Sequence, residues 1–249
     1  MPQRRTETEP TKPQPPAPPP PRATTITADQ VRALTIALLT EHLPLAIDGY
    51  HYDDADLYHV LVAAAVQQRS IESVCQQLVD APSANLVRHY LADRLLRRQD
   101  LDTLEARCNA LLVARLPADV GQRRQRLAID LTLLPYYGQP ARARGELRRG
   151  EAKAGTTRFH AYASAYVMRE GRRVTLAVTF VWAEDELLDV VIDLLGRVRR
   201  LGIGIERLFL DREFATVPIL AHLHHTCYES FLKRTSSAEV MSVGFRCQV

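Results

Sequence analysis

The pattern of apolar residues changes character once along the chain, near Pro117. Between residues 24 and 116, apolar side chains recur at spacings of three and four, which is typical of amphipathic helices. After Pro117, short runs rich in β-branched and aromatic residues alternate with helical patterns. The sequence therefore predicts an N-terminal helical region over 23–118, followed by an α/β region over 119–235.

The α/β region is predicted to contain three strands, a helix, a strand, a helix and a final strand. The runs that indicate strands are 126–134, 159–168, 174–181, 206–210 and 228–233, and those that indicate helices are 184–201 and 214–224. Glu170-Gly171-Arg172 marks a hairpin turn between the second and third strands. The order β-β-β-α-β-α-β is that of an RNase H-like fold, in which an antiparallel meander precedes a parallel α/β part.

Two short helices late in the helical region have the spacing of a helix-turn-helix motif. Ser70 can cap a helix over 71–79, a break containing Pro82 follows, and a second helix runs over about 84–98. The second helix is predicted to turn its basic side chains to solvent, where they suit contacts to DNA phosphates: Arg88, His89, Arg94, Arg97 and Arg98. An ordinary helical hairpin with a solvated basic face explains the same pattern, so both interpretations stay open.

Both ends of the chain depart from the pattern of the body. Residues 1–22 contain nine of the 15 prolines and almost no large apolar side chain, so we predict a disordered tail. Residues 236–249 have no helical apolar spacing and are predicted to form an aberrant or disordered tail. Because the chain stops at Val249, we expect the α/β region to be truncated.

Composition narrows the function classes only slightly. The net charge is +3, from 32 Lys+Arg against 29 Asp+Glu, which weakly indicates a nucleic-acid partner. Four cysteines without a CxxC pair fit neither a zinc knuckle nor a dense disulfide framework. No apolar run has the length of a membrane span or the form of a signal peptide. We therefore expect a cytoplasmic protein, associated with the nucleoid of a prokaryote, with no membrane contact and no small-molecule substrate.

Two aspartates each stand at the end of an apolar strand pattern. Asp130 follows Leu127-Ala128-Ile129, and Asp211 follows Leu208-Phe209-Leu210. If the first strand lies beside the fourth, both carboxylates emerge at neighbouring strand ends, where α/β folds bind ligands. Adjacent carboxylates repel unless a divalent cation lies between them, and Mg²⁺ or Mn²⁺ is the usual cation. Each aspartate alone is a weak signal, because such residues also cap turns or pair with arginines.

The segments around these aspartates resemble the catalytic core of insertion-sequence DDE transposases. The segments that carry the resemblance, which covers roughly 120–235, are 128–132, 135–138, 155–160, 171–177 and 209–214. It implies a fold of the retroviral-integrase type and Mg²⁺-dependent cutting and joining of the element's DNA ends. It also implies Asp130 and Asp211 as catalytic, metal-binding members of an acidic triad. The implied partners are double-stranded DNA of the element's terminal repeats and a second subunit in a homodimer.

This chain departs from that family's pattern at the third acidic position. The family has a Glu on a helix well downstream of the fifth strand, and no such residue is found here. Glu239 is a poor substitute, and Glu213 is expected to point away from the site. The activity implied by the resemblance is therefore kept apart from an alternative, a catalytically inactive, truncated DNA-binding protein. A third interpretation is an RNase H-like nuclease that hydrolyses nucleic acid without joining strands.

Two further features near the second aspartate carry weaker indications. Arg212 follows Asp211 and is a candidate to steer a DNA phosphate or to pair with that aspartate. The cluster of His222, His224 and His225 invites a metal hypothesis, but without cysteines nearby a helix end with polar caps is the favoured interpretation. Phe214 and Trp182 are predicted to pack in the core and at a strand-to-helix junction, respectively.

Overall fold

The computed structural model describes residues 26–47, 49–97, 99–140, 144–169, 171–226, 228–234 and 241–247. Of Leu96, Arg144 and residues 228–234 and 241–247 it describes the backbone only. Within these residues the chain is an α/β protein in which a set of helices precedes a mixed sheet. The predicted tail over 1–22 lies outside the described residues, as does Arg98.

Helices occupy the region before Pro117, as the apolar spacing predicts. They are α1 Ala28–His42, α2 Asp54–Gln67, α3 Ile71–Cys75, α4 Ala84–Tyr90, a π-helical segment Leu91–Arg97, and α5 Leu101–Val113. Each α-helix begins at a residue whose side chain accepts a backbone N–H three positions on, namely Thr27, Asp53, Ser70, Ser83 and Asp100. Such caps satisfy backbone donors that have no partner inside the helix.

The helix-turn-helix segment differs in detail from its prediction. The first helix ends at Cys75 rather than near residue 79, and turns continue to Asp80, which has a φ of 54°. The second helix changes from α to π hydrogen bonding at Leu91. A π-helix bonds each residue to the fifth one on, so the side chains beyond Leu91 are turned away from the face that an α-helical spacing predicts.

The helical region has an apolar core of its own, closed by two polar contacts. Buried side chains from α2, α3 and α4 meet there, among them Leu57, Val74 and Val87. The carboxylate of Asp54 accepts backbone N–H groups of residues 45, 46 and 47 at 2.7–3.2 Å. The buried Tyr58 hydroxyl donates to the Leu43 carbonyl, and burial raises the pKa of that phenol. These contacts fix the loop between α1 and α2.

The described strands form one mixed sheet. They are β1 Gln125–Pro135, β2 Arg148–Lys153, β3 Thr156–Arg169, β4 Arg172–Val181, β5 Ile205–Leu210, β6 Tyr228–Arg234 and β7 Met241–Cys247, with α6 Leu187–Arg200 and α7 Val217–His225. The order across the sheet is β2-β3-β1-β5-β7-β6, and β4 pairs with β3. β1 is antiparallel to β3 and parallel to β5, while β4 is antiparallel to β3.

Two strands are absent from the predicted order. β2 lies between the first and second predicted strands, where no strand was predicted, and it pairs with the start of β3. The turn between them uses Ala154 and Gly155, whose φ values of 50° and 79° suit a tight hairpin. β7 falls within 236–249, where a disordered tail was predicted, and pairs with β5 and β6. Its Met-Ser-Val-Gly-Phe-Arg-Cys sequence alternates apolar and polar residues with the period of a strand.

The two faces of the sheet differ sharply along β3. Its buried face carries Phe159, Ala161, Ala163, Ala165 and Val167, each fully buried. The last four belong to one core with apolar side chains of α6, α7 and β5. Phe214 lies in this core and is fully buried, as predicted. The opposite face, here called the open face, carries the alternating residues His160, Tyr162, Ser164, Tyr166 and Met168, which are half-buried or exposed.

The helical region meets the sheet at β4. The Asn109 side chain on α5 accepts the Val178 N–H and donates to the Val178 carbonyl, both at 2.9 Å. Glu105, one turn earlier, accepts from the Phe180 N–H at 2.8 Å and from the Thr179 hydroxyl. α5 thus supplies to β4 the hydrogen bonds that a neighbouring strand would supply.

No helix among the described residues combines the length and apolarity needed to cross a membrane.

Candidate active site

The two aspartates singled out by the sequence lie on adjacent parallel strands. Ile129 of β1 is in register with Leu210 of β5. The Asp211 N–H donates to the Ile129 carbonyl at 3.1 Å, so the ladder of hydrogen bonds continues to the aspartates themselves. Asp130 is the next residue of β1, and both aspartates are half-buried. The two aspartates therefore meet at one position of the sheet, as predicted, but only Asp211 stands at a strand end. The prediction that Asp130 ends its strand is wrong, because β1 stays paired with β3 as far as Pro135.

Local backbone contacts hold the Asp211 carboxylate in place. Asp211 ends β5 in an extended conformation and is the N-cap of a short 3₁₀ turn over Arg212–Phe214. Its Oδ1 accepts the Arg212 N–H at 2.6 Å, and its carbonyl accepts the Phe214 N–H at 3.0 Å. Because the Phe214 side chain is fully buried, it anchors the turn to the core of the sheet. One carboxylate oxygen of Asp211 thus remains for a further ligand.

Successive positions on the open face carry different chemistry. Asp130 pairs with Ser164 of β3 and, with Asp211 beside it, forms what we call the carboxylate row. Two residues back on β1, Ala128 pairs with Tyr166 on one side and Phe209 on the other. We call this second set the ring row. Two residues of a strand span about 6.6 Å, so the two rows are close neighbours.

Arginines lie over both rings of the ring row. The Arg173 guanidinium is 4.9 Å from the centre of the Tyr166 ring, and the Arg126 guanidinium is 5.4 Å from the centre of the Phe209 ring. Guanidinium groups at such distances are attracted by the ring's electron density, by about 0.5–1 kcal/mol at exposed sites. The arginines belong to β4 and β1, the rings to β3 and β5, so the site draws on four strands.

The pKa of the Tyr166 phenol depends on the charges of both aspartates. Partial burial raises the pKa of its phenol, the Arg173 charge lowers it, and the negative charges of Asp130 and Asp211 raise it further. A carboxylate acts in this way only when it lies near the phenol, since the effect falls with distance. Tyr166 is therefore part of the same site as the two aspartates, although no motif in the sequence pointed to it.

A cluster of aromatic rings continues the open face beyond the carboxylate row. Tyr136 contacts His160 edge to face at 4.7 Å between ring centres, and Phe180 contacts both Tyr162 at 5.3 Å and Trp182 at 5.1 Å. Trp182 stands at the junction of β4 and α6, where its backbone N–H donates to the Asp185 carboxylate at 2.7 Å. Its ring packs edge to face against Phe180, in agreement with the predicted packing role. These contacts stiffen the end of the sheet next to the aspartates.

The basic residues predicted to contact DNA have unequal surroundings. Arg88 is half-exposed and bonds to Glu72 at 3.0 Å, and Arg97 is exposed. Arg94 was expected to face solvent, but its side chain is only 17% exposed and lies 3.6 Å from Asp93. The π-helical segment that starts at Leu91 accounts for this difference, because it rotates Arg94 toward the protein. Arg98 lies outside the described residues.

Residues near the second aspartate are distributed around the 3₁₀ turn and α7. Arg212 is exposed beside Asp211, where its backbone rather than its side chain contacts the aspartate. His222, His224 and His225 lie in the last turn of α7, and the His222 carbonyl accepts the Thr226 hydroxyl at 2.9 Å. In the part of the chain that the structure describes, no three His, Cys, Asp or Glu side chains are grouped to hold a metal ion.

The donor set of the carboxylate row suits Mg²⁺ or Mn²⁺. Both cations prefer oxygen ligands, and Mg²⁺ is commonly held by one or two carboxylates together with water and substrate phosphate oxygens. Asp130 and Asp211 supply two carboxylates on rigid strands, one of them oriented by the Arg212 N–H. Such a site is open on the solvent side, where a substrate would complete the set of ligands.

No protein-family model, no curated protein and no solved structure was found to match this chain. The geometry of the open face and the sequence motifs around it therefore carry the assignment of function.

Proposed function

We propose that this protein is a DNA transposase of the insertion-sequence DDE type. In this proposal it binds the ends of its element and carries out metal-dependent phosphodiester cleavage and strand transfer. The observation that carries the proposal is the direct neighbourhood of Asp130 and Asp211, linked through the hydrogen bond from the Asp211 N–H to the Ile129 carbonyl. The motifs that resemble this family surround the same two residues.

The strand arrangement supports an RNase H-like fold for the α/β region. β4, β3 and β1 form an antiparallel meander, and β5 adds to β1 in parallel after the crossover helix α6. In open α/β sheets ligands bind at the carboxyl ends of adjacent parallel strands. Asp211 lies at the carboxyl end of β5, and Asp130 lies beside it within β1, where the parallel pairing with β5 ends.

The chain's own groups would bind and orient the reacting phosphate. Asp130 and Asp211 hold the cation, while the Arg212 N–H keeps the Asp211 carboxylate in one orientation. A bound Mg²⁺ or Mn²⁺ activates the attacking water or 3′-hydroxyl and stabilises charge on the phosphate. In cleavage the water oxygen bonds to phosphorus and the 3′-oxygen leaves as a hydroxyl. In strand transfer that 3′-hydroxyl attacks a target phosphate and displaces another 3′-oxygen.

The test is an assay of cleavage and strand transfer on labelled duplexes that carry the DNA bordering the gene. Asp130→Asn and Asp211→Asn should each lower both activities by more than about 100-fold, since even outer-shell changes at metal sites cost 10–100-fold. Asn preserves the cap at position 211 because its amide oxygen also accepts an N–H. Glu213→Gln, an exposed neighbour, is the matched control and should retain activity.

The products separate the proposal from simple hydrolysis. Joined strands appear only if a 3′-hydroxyl is the nucleophile, whereas a nuclease of the same fold yields cut ends alone. Retained cleavage in either aspartate variant would remove the metal assignment. Binding of Mn²⁺, followed by loss of its free electron paramagnetic resonance signal, gives a second readout that does not depend on finding the DNA substrate.

The alternative is a DNA-binding protein without catalytic activity. The observation in its favour is that the helical region closes an apolar core of its own and leaves Arg97 exposed and Arg88 half-exposed. In that case Asp130→Asn binds element-end duplex as well as the unchanged protein, neither cuts it, and Arg88→Gln with Arg97→Gln weakens binding. Affinity that does not fall with added salt would argue against this alternative, because phosphate contacts release counterions.

A further inference from the structure

Arg126 and Arg173 are positively charged groups on the open face that the chemistry of the aspartates does not use. Both side chains are exposed, on β1 and β4 respectively. Each lies against a ring of the ring row rather than against a carboxylate. Among the described residues neither has an ion-pair partner, although ion pairs are formed by other arginines of the sheet. Their charge is therefore available to an external anion.

Contacts with the two rings restrict the motion of these guanidinium groups before a ligand binds. Arg173 stacks on Tyr166 and Arg126 on Phe209, at 4.9 and 5.4 Å from the ring centres. A guanidinium fixed in this way loses less conformational freedom on binding than a mobile one. Its N–H edge matches the geometry of a phosphate, and its outer face can stack on a nucleobase.

Between the two arginine–ring pairs the surface of the sheet is formed by one small apolar residue, which we call the floor of the site. Ala128 lies in register with both Tyr166 and Phe209 and is 5% exposed, so the rings form walls on either side of it. Asp130, two residues further along β1, places the carboxylate row about 6.6 Å beyond this floor. A nucleic-acid strand that runs along β1 here passes from the guanidinium groups directly to the aspartates.

We propose that Arg126, Arg173, Tyr166 and Phe209 form a binding site for a single strand of nucleic acid. Its phosphates contact the two guanidinium groups, and the next part of its backbone reaches the carboxylate row. Aromatic rings and arginines beside a charged groove are the combination by which proteins bind unpaired strands. The inference deepens the proposed function and rests on it, since it names the form in which the nucleic acid lies at Asp130 and Asp211.

The test measures binding of a fluorescein-labelled, 20-nucleotide oligothymidine to the full chain by anisotropy, in EDTA, over a series of salt concentrations. The double variant Arg126→Gln/Arg173→Gln should bind at least 10-fold more weakly. Its plot of log affinity against log salt should be shallower by about 1.4, because each phosphate contact to a single strand contributes about 0.7. Both residues are exposed on strands, so the variant keeps the fold.

The matched control is Arg69→Gln/Arg115→Gln, which removes the same charge at exposed positions in the helical region. It should leave the salt dependence unchanged. Equal weakening in the control, or an unchanged salt dependence in Arg126→Gln/Arg173→Gln, would overturn the proposal. A duplex of the same length that binds more tightly than the single strand, and loses as much in the double variant, would show that the site takes paired DNA instead.

The rings are tested by Tyr166→Leu/Phe209→Leu, which should weaken binding several-fold with little change in salt dependence, because stacking rather than charge is lost. Unchanged affinity would contradict a role for the rings.

The experiments distinguish a failure of the proposed function from a failure of the proposed strand-binding site. Binding is measured without metal, so retained cleavage in Asp130→Asn overturns the transposase mechanism alone. Unaltered binding in the arginine variant overturns the strand-binding site alone.

Discussion

The buried and open faces of the sheet come from the same strands but have opposite roles. On β3, Val167 is fully buried while its neighbour Met168 is 41% exposed, and the alternation holds along the strand. The buried face packs against α6 and α7 mainly with apolar side chains. The open face carries the aspartates, the ring row and unpaired arginines. One face thus supplies stability, and the other is left free to bind a ligand.

This difference explains why the candidate site is rigid although it is exposed. Leu127 and Ile129 on β1 are buried, and they alternate with Ala128 and Asp130 of the open face. Packing of one face therefore fixes the backbone that positions the other. Sites built on strands hold functional groups more precisely than sites built on loops. The four predictions below test this division of roles, from the largest expected effect to the smallest.

Loss of a buried-face side chain should destabilise the protein far more than loss of an open-face one. Leu208 is fully buried, so Leu208→Ala should lower the free energy of unfolding by about 2–5 kcal/mol, as cavity-forming changes do. Met168→Ala, on the open face, should cost less than about 0.5 kcal/mol. Urea denaturation of both variants measures the difference. Similar losses in the two would contradict the division between the faces.

A smaller loss is expected where the helical region borders the open face. Asn109→Ala removes both hydrogen bonds to Val178, whose N–H and carbonyl are left without these partners at a partly buried position. The expected cost is about 1–3 kcal/mol in the free energy of unfolding. Asn85→Ala is the control, since Asn85 is exposed and contacts Arg88 only at the surface. If both variants unfold alike, α5 does not stabilise β4.

Within the sheet, alkaline pH should weaken the fold through the open face, because the described buried face carries no tyrosine. The buried Tyr58 of the helical region, whose pKa is also raised, adds a decline that is common to the parent protein and the variant. Burial, with Glu146 for Tyr162 and the two aspartates for Tyr166, raises the pKa of both phenols above the ordinary value near 10.0. The folded state then retains protons that the unfolded state loses, so stability is full below pH 10 and falls above it. Tyr162→Phe/Tyr166→Phe should flatten this decline in denaturation series at pH 8 and 10.5. An unchanged slope would contradict the assignment.

The smallest effect concerns the electrostatic contact between Tyr166 and the carboxylate row. In Asp130→Asn/Asp211→Asn the negative charges that raise the pKa of Tyr166 are gone, so that pKa should fall. Nuclear magnetic resonance of ¹³C-labelled tyrosines across a pH series measures it, with Tyr166→Phe to assign the signal. Glu213→Gln serves as the control and should leave the pKa where it was. A pKa that does not move would separate Tyr166 from the aspartates.

Short-range patterns in the sequence predicted the helices and most strands well. The caps at Thr27, Ser70 and Ser83 begin helices because each acts on backbone groups only three residues away. β5 and its terminal Asp211 follow from an apolar run with a polar end. β7 was missed although Met241-Ser-Val-Gly-Phe-Arg-Cys alternates clearly, because the surrounding residues gave no helical pattern and no resemblance.

The sequence by itself determined that Asp130 and Asp211 each follow an apolar strand segment, since local hydrophobicity reveals such segments. Asp211 does end its strand, whereas β1 continues past Asp130 to Pro135 through its pairing with β3. Only the tertiary structure decided what lies beside them. Tyr166 reaches the aspartates because the register of β3 sets it opposite Ala128, and register depends on pairing residues 38 positions apart (166 minus 128). Arg94 is turned inward because the helix changes to π hydrogen bonding at Leu91, which the apolar spacing of the sequence does not reveal. Local periodicity fixes which residues share a face, whereas long-range pairing fixes which faces and charges meet.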